Sequence, residues 1–276
     1  MTSARPGGLA GFLRAARARA RAPADVGERP RRVPGLRREE LARAAGVSVE
    51  YVTRLEQGRS RNASPEVIDA LARALDLGEV EYLHLHDLAF PRRGRRDRRP
   101  ARRHVHPAAL DLLETFDAVS RPALVLGRRL DVLAWNDLAS RLAAVDFATV
   151  SARARNAARM VLLTPGTDER DDLADRVAAL LRFESGRHPD DPLLAELVVE
   201  LAAGSGAFRR AWARHRVRRH GSGEHTIVHP VVGEVTVTYQ ALRVEGAPDQ
   251  TLYVLRAEPH SPSAAALGRL QELRGT

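Results

Sequence analysis

This sequence predicts an all-α five-helix N-terminal domain followed by an α+β domain built on an antiparallel sheet. Three observations lead there. Five short segments before residue 90 carry apolar residues at helical spacing, a basic stretch over 91–106 has no apolar period, and strand-like runs bracket further helices after it. The expected division is a domain over 1–90, a basic linker over 91–106 and a second domain over 107–276.

The first helix carries Leu9, Phe12, Leu13 and Ala16, and the Pro- and Arg-rich stretch from Arg21 to Leu36 separates it from a second with Leu41, Ala42 and Ala45. Gly46 stops that helix, because glycine enters the left-handed conformation without a side-chain clash. Ser48 is placed to cap a third helix, with Val52 and Leu55 inward and Gly58 at its end. Ser64-Pro65 sets proline at the first helical position of a fourth, with Val67, Ile68, Leu71 and Leu75 inward. Tyr82, Leu85, Leu88 and Ala89 mark a fifth. Beyond the linker, Ala108 to Val119 reads as a helix. Pro122 to Gly127 and Leu130 to Trp135, parted by Arg128-Arg129, read as a β-hairpin. Helical periods return at Leu173/Val177/Leu180, Leu193/Leu194/Leu197/Val198/Leu201 and Phe208/Trp212. Glu224 to His229, Gly233 to Val244 and Gln250 to Ala257 are strand-like, the middle run alternating Val235, Val237 and Tyr239 against Glu234, Thr236 and Thr238.

Cysteine is absent, which excludes disulfide scaffolds, thiolate zinc sites and cysteine nucleophiles. Leu9 to Leu13 is too short for a signal-peptide core and no run of about 18 apolar residues occurs, so a cytoplasmic protein without a membrane partner is expected. All 44 basic residues are Arg, which the codon bias of a GC-rich genome explains, so their position carries the information. Residues 1–106 hold 23 Arg against 13 acidic residues, and the remainder holds 21 against 22, so the net +9 lies wholly in the first part. A polyanion-binding module joined to a neutral one has this distribution. A solvated basic tail is the alternative, and the linker likewise either follows phosphates or is a solvated tether.

Residues 37–59 put helix, glycine turn and second helix at the spacing of a helix-turn-helix. The second helix, Ser48 to Gln57, leaves Val49, Glu50, Thr53, Arg54 and Gln57 outward with Tyr51 alongside, as a helix facing a major groove would. The segment resembles the XRE family of phage-repressor-like helix-turn-helix proteins, and the resemblance covers 9–89. It implies double-stranded DNA as the partner, with Arg38, Val49, Glu50 and Arg54 against bases or flanking backbone. The fork of Arg54 suits guanine O6 and N7. Glu50 either accepts from a cytosine amino group or pairs with Arg54 four residues on. Arg37, Arg59 and Arg61 would hold phosphates, and Glu56 would pair with an Arg of a neighbouring helix. An ordinary helical hairpin is the bland alternative. Because one such motif makes modest contact, a homodimer on two half-sites about one helical turn apart is expected.

In the second domain, Asn136 is placed to cap a helix directly after the strand ending at Trp135, an arrangement that resembles the opening of PAS sensor domains. The segments LGRRLDVLAWN, RARN (153–156), GRHPDDP (186–192), HPVVGEVTVTY (229–239), DQTLYV (249–254) and AEPHSPSA (257–264) are similar to the MmyB-like regulators of actinomycetes. That resemblance implies a PAS-like ligand-binding module whose pocket can hold a fatty acid, linked to secondary-metabolite or neighbouring oxidoreductase genes. The sequence departs from the pattern over Gly166 to Asp172, which is polar or glycine where relatives carry Tyr and Trp. An apolar pocket needs few polar anchors. Arg155 or Asn156 would bind a carboxylate, with Leu126, Leu133, Trp135, Met160, Phe183, Val237 and Tyr239 around an acyl chain. Core packing of the apolar residues and helix capping by Asn156 are the alternatives.

His220, His225 and His229 raise a metal or haem site, but no carboxylate spacing or thiolate completes one, so no metal and no cofactor are expected. No Walker loop, nucleophile elbow, metal-hydrolase signature or dinucleotide fingerprint occurs, and the chain is not read as an enzyme. The competing binding reading is an antitoxin-like or scaffold DNA-binding protein whose C-terminal domain holds a protein partner.

Overall fold

The computed structural model describes residues 8–21, 35–60, 63–91, 105–164 and 171–272. Arg61, residues 166–170 of the polar stretch and all but the ends of the expected linker lie outside the described residues. In chain order the helices of the first part are α1 (Leu9–Arg19), α2 (Arg38–Ala45), α3 (Val49–Glu56), α4 (Pro65–Ala74) and α5 (Glu79–Ala89). Then follow α6 (Pro107–Ala118), β1 (Ala123–Gly127), β2 (Val132–Trp135), α7 (Asp137–Leu142) and α8 (Ala157–Leu162). After them come α9 (Asp171–Arg187), α10 (Pro192–Gly204) and α11 (Gly206–Ala213), and the chain closes with β3 (Ser222–His229), β4 (Gly233–Arg243), β5 (Gln250–Arg256) and α12 (Pro262–Glu272).

The apolar stripes of α1 to α5 meet in one core of Phe12, Leu13, Ala16, Leu41, Ala42, Val52, Leu55, Ile68, Leu71 and Leu85. Each large side chain buried there contributes roughly 1.5–3 kcal/mol. Gly46 ends α2 at φ +66°, the left-handed turn that lets α3 fold back on α2. The Ser48 hydroxyl then accepts the Tyr51 N–H at 3.1 Å and starts α3. Ser64 and Pro65 open α4 as expected, although the serine hydroxyl does not cap it.

Contacts divide the chain into two units, residues 1–95 with 168–219 and residues 96–167 with 220–276. Helices α9 to α11, expected within a domain over 107–276, therefore group with α1 to α5. The physical reason lies on α5. His84 is fully buried there, edge-on to Phe12 with ring centroids 5.1 Å apart and 6.4 Å from Phe183 of α9. Gly186 of α9 makes that approach possible, since a Cβ on it would sit 2.5 Å from His84 Nδ1. Behind this contact the Arg182 guanidinium is buried 3.8 Å above the Trp212 ring, and Trp212 stacks on Phe208.

The second unit is built on a five-stranded sheet of order β2-β1-β5-β4-β3, antiparallel at every pairing. Side chains alternate between its faces. On one face Ala109 and Leu113 of α6 cover Ala123, Val125 and Leu252. On the other, Leu138 and Leu142 of α7 and Ala266, Leu267 and Leu270 of α12 cover Val235 and Val237. Asn136 joins hairpin to helix: its amide oxygen accepts from the N–H groups of Ala139 and Ala123, and its NH2 donates to the Arg121 carbonyl at 2.7 Å. The short α8 and the closing α12 add to the elements expected from the sequence.

Candidate DNA-reading surface and ligand face

On α3, Glu50, Arg54 and Gln57 are exposed and Thr53 is half-buried, while Val49 and Tyr51 are half-buried and pack against the core that holds Val52 and Leu55. Two of them are already engaged. The Thr53 hydroxyl donates to the Val49 carbonyl of its own helix at 2.9 Å. The Arg54 guanidinium lies 5.8 Å from the Tyr51 ring centroid, and no Glu50–Arg54 ion pair forms among the described residues. A guanidinium resting on an aromatic face keeps its fork free to turn toward a base edge. Arg37 and Arg59 are exposed at the ends of the motif, and the Arg37 backbone N–H donates to the Glu40 carboxylate at 2.7 Å. Arg38 is held instead: its Nε donates to Glu56 Oε2 at 2.6 Å.

Glu56 is the electrostatic centre of this motif. It is buried, and its other oxygen accepts from Arg17 Nε of α1 at 2.6 Å, while Arg17 Nη1 donates to the Leu36 carbonyl. Burial alone would push the Glu56 carboxyl up, but the two guanidinium groups outweigh it and hold the pKa below the ordinary carboxylate value. One carboxylate thereby ties α1 and α2 to the end of α3. The expectation that Glu56 pairs with a neighbouring helix is met twice, and Arg17 is the partner that the sequence did not single out.

In the sheet unit, Leu124 pairs with Trp135 on one side and Tyr253 on the other, and Tyr253 pairs with Ala241, so these four share one cross-strand row. Leu126 lies on the same face of β1, and Tyr239 on the same face of β4. The Trp135 and Phe147 rings are 5.2 Å apart, and the Arg155 guanidinium lies 5.2 Å over the Trp135 ring. Arg155 Nη1 donates to the Phe147 carbonyl at 3.2 Å, whereas its Nε is buried without a hydrogen-bond partner among the described residues. Asn156 sets this geometry. Its oxygen accepts the Arg159 N–H and caps α8, and its NH2 donates to the Arg129 carbonyl and to Asp131. The residue is fully buried with its amide engaged, so of the two anchors expected from the sequence Arg155 has the donor to offer.

The other expected pocket residues are not all gathered here. Met160 is half-buried on α8. Val237 is packed under α7 and α12, and Leu133 packs with the α6 cluster on the opposite face. Phe183 belongs to α9 of the first unit, against His84. These positions follow from strand parity and helix grouping, which periodicity alone leaves open. Among the histidines, His229 accepts the Val231 N–H at Nδ1 and bonds the Arg141 carbonyl through Nε2 at 2.9 Å, closing the β3–β4 turn. No group of three metal-ligating residues occurs among the described residues. No described helix is long and apolar enough to cross a membrane.

A helix-turn-helix with exposed arginines, carried on the same chain as a sheet unit that turns an arginine over an aromatic floor, defines a DNA-binding regulator with a sensory domain. Residues 9–85 match a helix-turn-helix domain family, and residues 105–270 match the family described as MmyB-like transcription regulator ligand binding domain. The second match spans more than half of the chain, and the chain belongs to that family. It is a helix-turn-helix transcription regulator with a ligand-binding domain, and neither match is to a catalytic family. No curated protein matches the chain. The ligand-binding match runs through α9 to α11, the helices that group with the DNA-reading bundle.

Proposed function

We propose that this regulator reads its operator through α3, with Arg54 on guanine, Val49, Glu50 and Gln57 against neighbouring bases, and Arg37 and Arg59 on phosphates. It does so as a homodimer on two half-sites, in response to an acyl carboxylic acid that lies on the Trp135–Tyr253 face with its carboxylate on Arg155. The observation that carries the ligand reading is the buried Nε of Arg155 above an aromatic floor, without a partner among the described residues. Removing a guanidinium donor from water without giving it an acceptor is costly, and a bound carboxylate supplies the missing acceptor.

Titrating the full chain with dodecanoate in a calorimeter tests the reading. Binding that falls about tenfold or more in Arg155→Ala supports the anchor, and unchanged affinity removes it. Selecting DNA with the purified protein, with and without dodecanoate, identifies the operator. A chain that takes up no dodecanoate but captures a protein through the sheet unit would favour the scaffold alternative.

A further inference from the structure

The stretch that follows α11 crosses α1 within the first unit, and three contacts fix it there. Arg19 of α1 donates through Nη1 to the Arg214 carbonyl at 3.1 Å. The His215 ring lies so close to Gly11 that a Cβ on that glycine would sit 2.6 Å from the ring Cε1. Val217 packs against the core of the reading bundle. Inward and outward residues alternate along the stretch: His215 and Val217 are half-buried, whereas Arg214, Arg216 and Arg218 are exposed. Arg214 is paired with Asp175 of α9 at 2.6 Å. Arg216 has no ion pair among the described residues.

The first turns of α1 join this stretch to the end of α3. Gly58, the residue before Arg59, touches them, since a Cβ on it would sit 3.8 Å from the Ala10 Cβ. Residues three and four apart are neighbours on a helix surface, so Arg14 stands beside both Ala10 and Gly11. A helical side chain also leans over the turn before it, which brings Arg14 toward the two contacts. The His215 pKa is lowered to about 4 by burial first and then by the charges of Arg182, Arg14 and Arg19, so the Arg14 guanidinium lies within electrostatic reach of that ring. Around α1 the order is therefore Arg59, Arg14, Arg216. All three are exposed, and none has a carboxylate partner among the described residues. Neighbouring arginines of the same unit are neutralised: Arg19 by Glu81, Arg210 by Asp171 and Arg214 by Asp175.

We propose that Arg14 and Arg216 continue the phosphate track of Arg59 around α1, so that a stretch matched by the ligand-binding family binds the DNA backbone. The proposal rests on α3 as the reading helix and adds a second, sequence-independent contact. A guanidinium fork pairs with phosphate oxygens and fixes register without reading bases. The three contacts of the 214–217 stretch with α1 and the bundle core hold Arg216 in place before DNA arrives, which reduces the ordering cost of that contact.

The test uses the full chain, Arg14→Gln, Arg216→Gln, the double variant, and Arg210→Gln as a control that removes a charge already paired within the protein. Anisotropy titrations on the selected operator and on a random duplex, from about 50 to about 200 mM salt, give the slope of log K against log salt. Arg14→Gln and Arg216→Gln should each reduce that slope by about one on both duplexes, and the double variant by about two. Each loss of affinity should be about threefold larger at the low-salt end than at the high-salt end. Arg210→Gln should keep the parent's slope, and all variants should keep the parent's urea midpoint, since the altered side chains are exposed. An unchanged slope in Arg14→Gln or in Arg216→Gln overturns the track. An equal drop in Arg210→Gln also overturns it, because net charge would then explain the effect, and so does a loss confined to the operator. Should Arg54→Ala fail to discriminate operator from random DNA, the reading role of α3 falls, while the two slopes still decide the track.

Discussion

Replacing Glu56 by Gln is the sharpest probe of the reading bundle, because it removes one charge and leaves the side chain's size. Glu56 is 1% exposed and is held at 2.6 Å by both Arg17, 18% exposed, and Arg38, 47% exposed. Breaking a buried ion pair costs about 3–5 kcal/mol. The half-exposed Arg38 contributes only as a surface pair does, up to about 1 kcal/mol, and the glutamine amide oxygen still accepts from one guanidinium. The expected loss is therefore about 3 kcal/mol, a fall in Tm of roughly 10 °C for the first unit. The fluorescence of Trp212, which stacks on Phe208 in that unit, reports it in a Trp135→Phe background. The pH dependence has a definite sign. The folded pKa of Glu56 is lowered, so its stabilisation is fully present above the unfolded value of 4.5 and is lost as pH falls through the folded pKa. The deficit of Glu56→Gln should be constant between about pH 6 and 8 and shrink below about pH 4.5. A loss under about 1 kcal/mol, or a deficit unchanged at pH 3, would refute the reasoning.

On DNA, Arg54→Ala should weaken the selected operator by about 10–100-fold with little effect on random sequence, whereas Arg59→Ala should weaken both alike and reduce the salt slope by about one; anisotropy titrations at several salt concentrations separate the two, and equal losses for Arg54→Ala count against base reading. In acid, the folded pKa values of His84 and His215, lowered to about 3 and about 4, mean that the unfolded chain binds more protons below the ordinary value of 6.5, so the first unit loses stability as pH falls from there. His84→Leu should reduce that dependence between pH 7.5 and 5 without abolishing it, since His215 remains; urea melts followed through Trp212 that keep the parent's slope would contradict it. Gly186→Val puts a side chain where even a Cβ would sit 2.5 Å from His84 Nδ1, and about 1–3 kcal/mol of strain should appear as faster amide exchange in both α5 and α9.

How much of this was readable in the sequence depends on whether the signal is local. Ser48, Gly46 and the Pro65 start identify α2, α3 and α4, because caps and turns act within a few residues of where they stand. Asn136 was legible for the same reason, and so was the alternation that makes β4 a strand. Partner choice was not. The stripe of α9 reads as apolar, but nothing in its spacing says whether a sheet or a helix covers it. His84 illustrates the loss: with Tyr82, Leu85 and Leu88 taken as the inner face of α5, a histidine beside them reads as solvated, and only Gly186 opposite explains why it is fully buried. The place of Phe183 against His84 was hidden by the same gap. Leu133 leaves the Trp135–Tyr253 face through a register shift between Val125 and Leu126 that periodicity does not contain, whereas Val237 shares that face and is covered there by α7 and α12.

The same grouping changes what the two family matches mean for regulation. In a chain built as two beads, ligand occupancy would reach DNA only by altering dimer geometry or by freeing a tether. Here the sequence that carries the ligand-binding match supplies α9 to α11 to the unit that holds the helix-turn-helix. The reading bundle thus has two kinds of internal support. One is Glu56, whose paired charges tie α1, α2 and α3 together and cost several kcal/mol to disturb. The other is α9, docked on α5 through an unpartnered histidine and a guanidinium without a buried acceptor for every donor, which is cheaper to move.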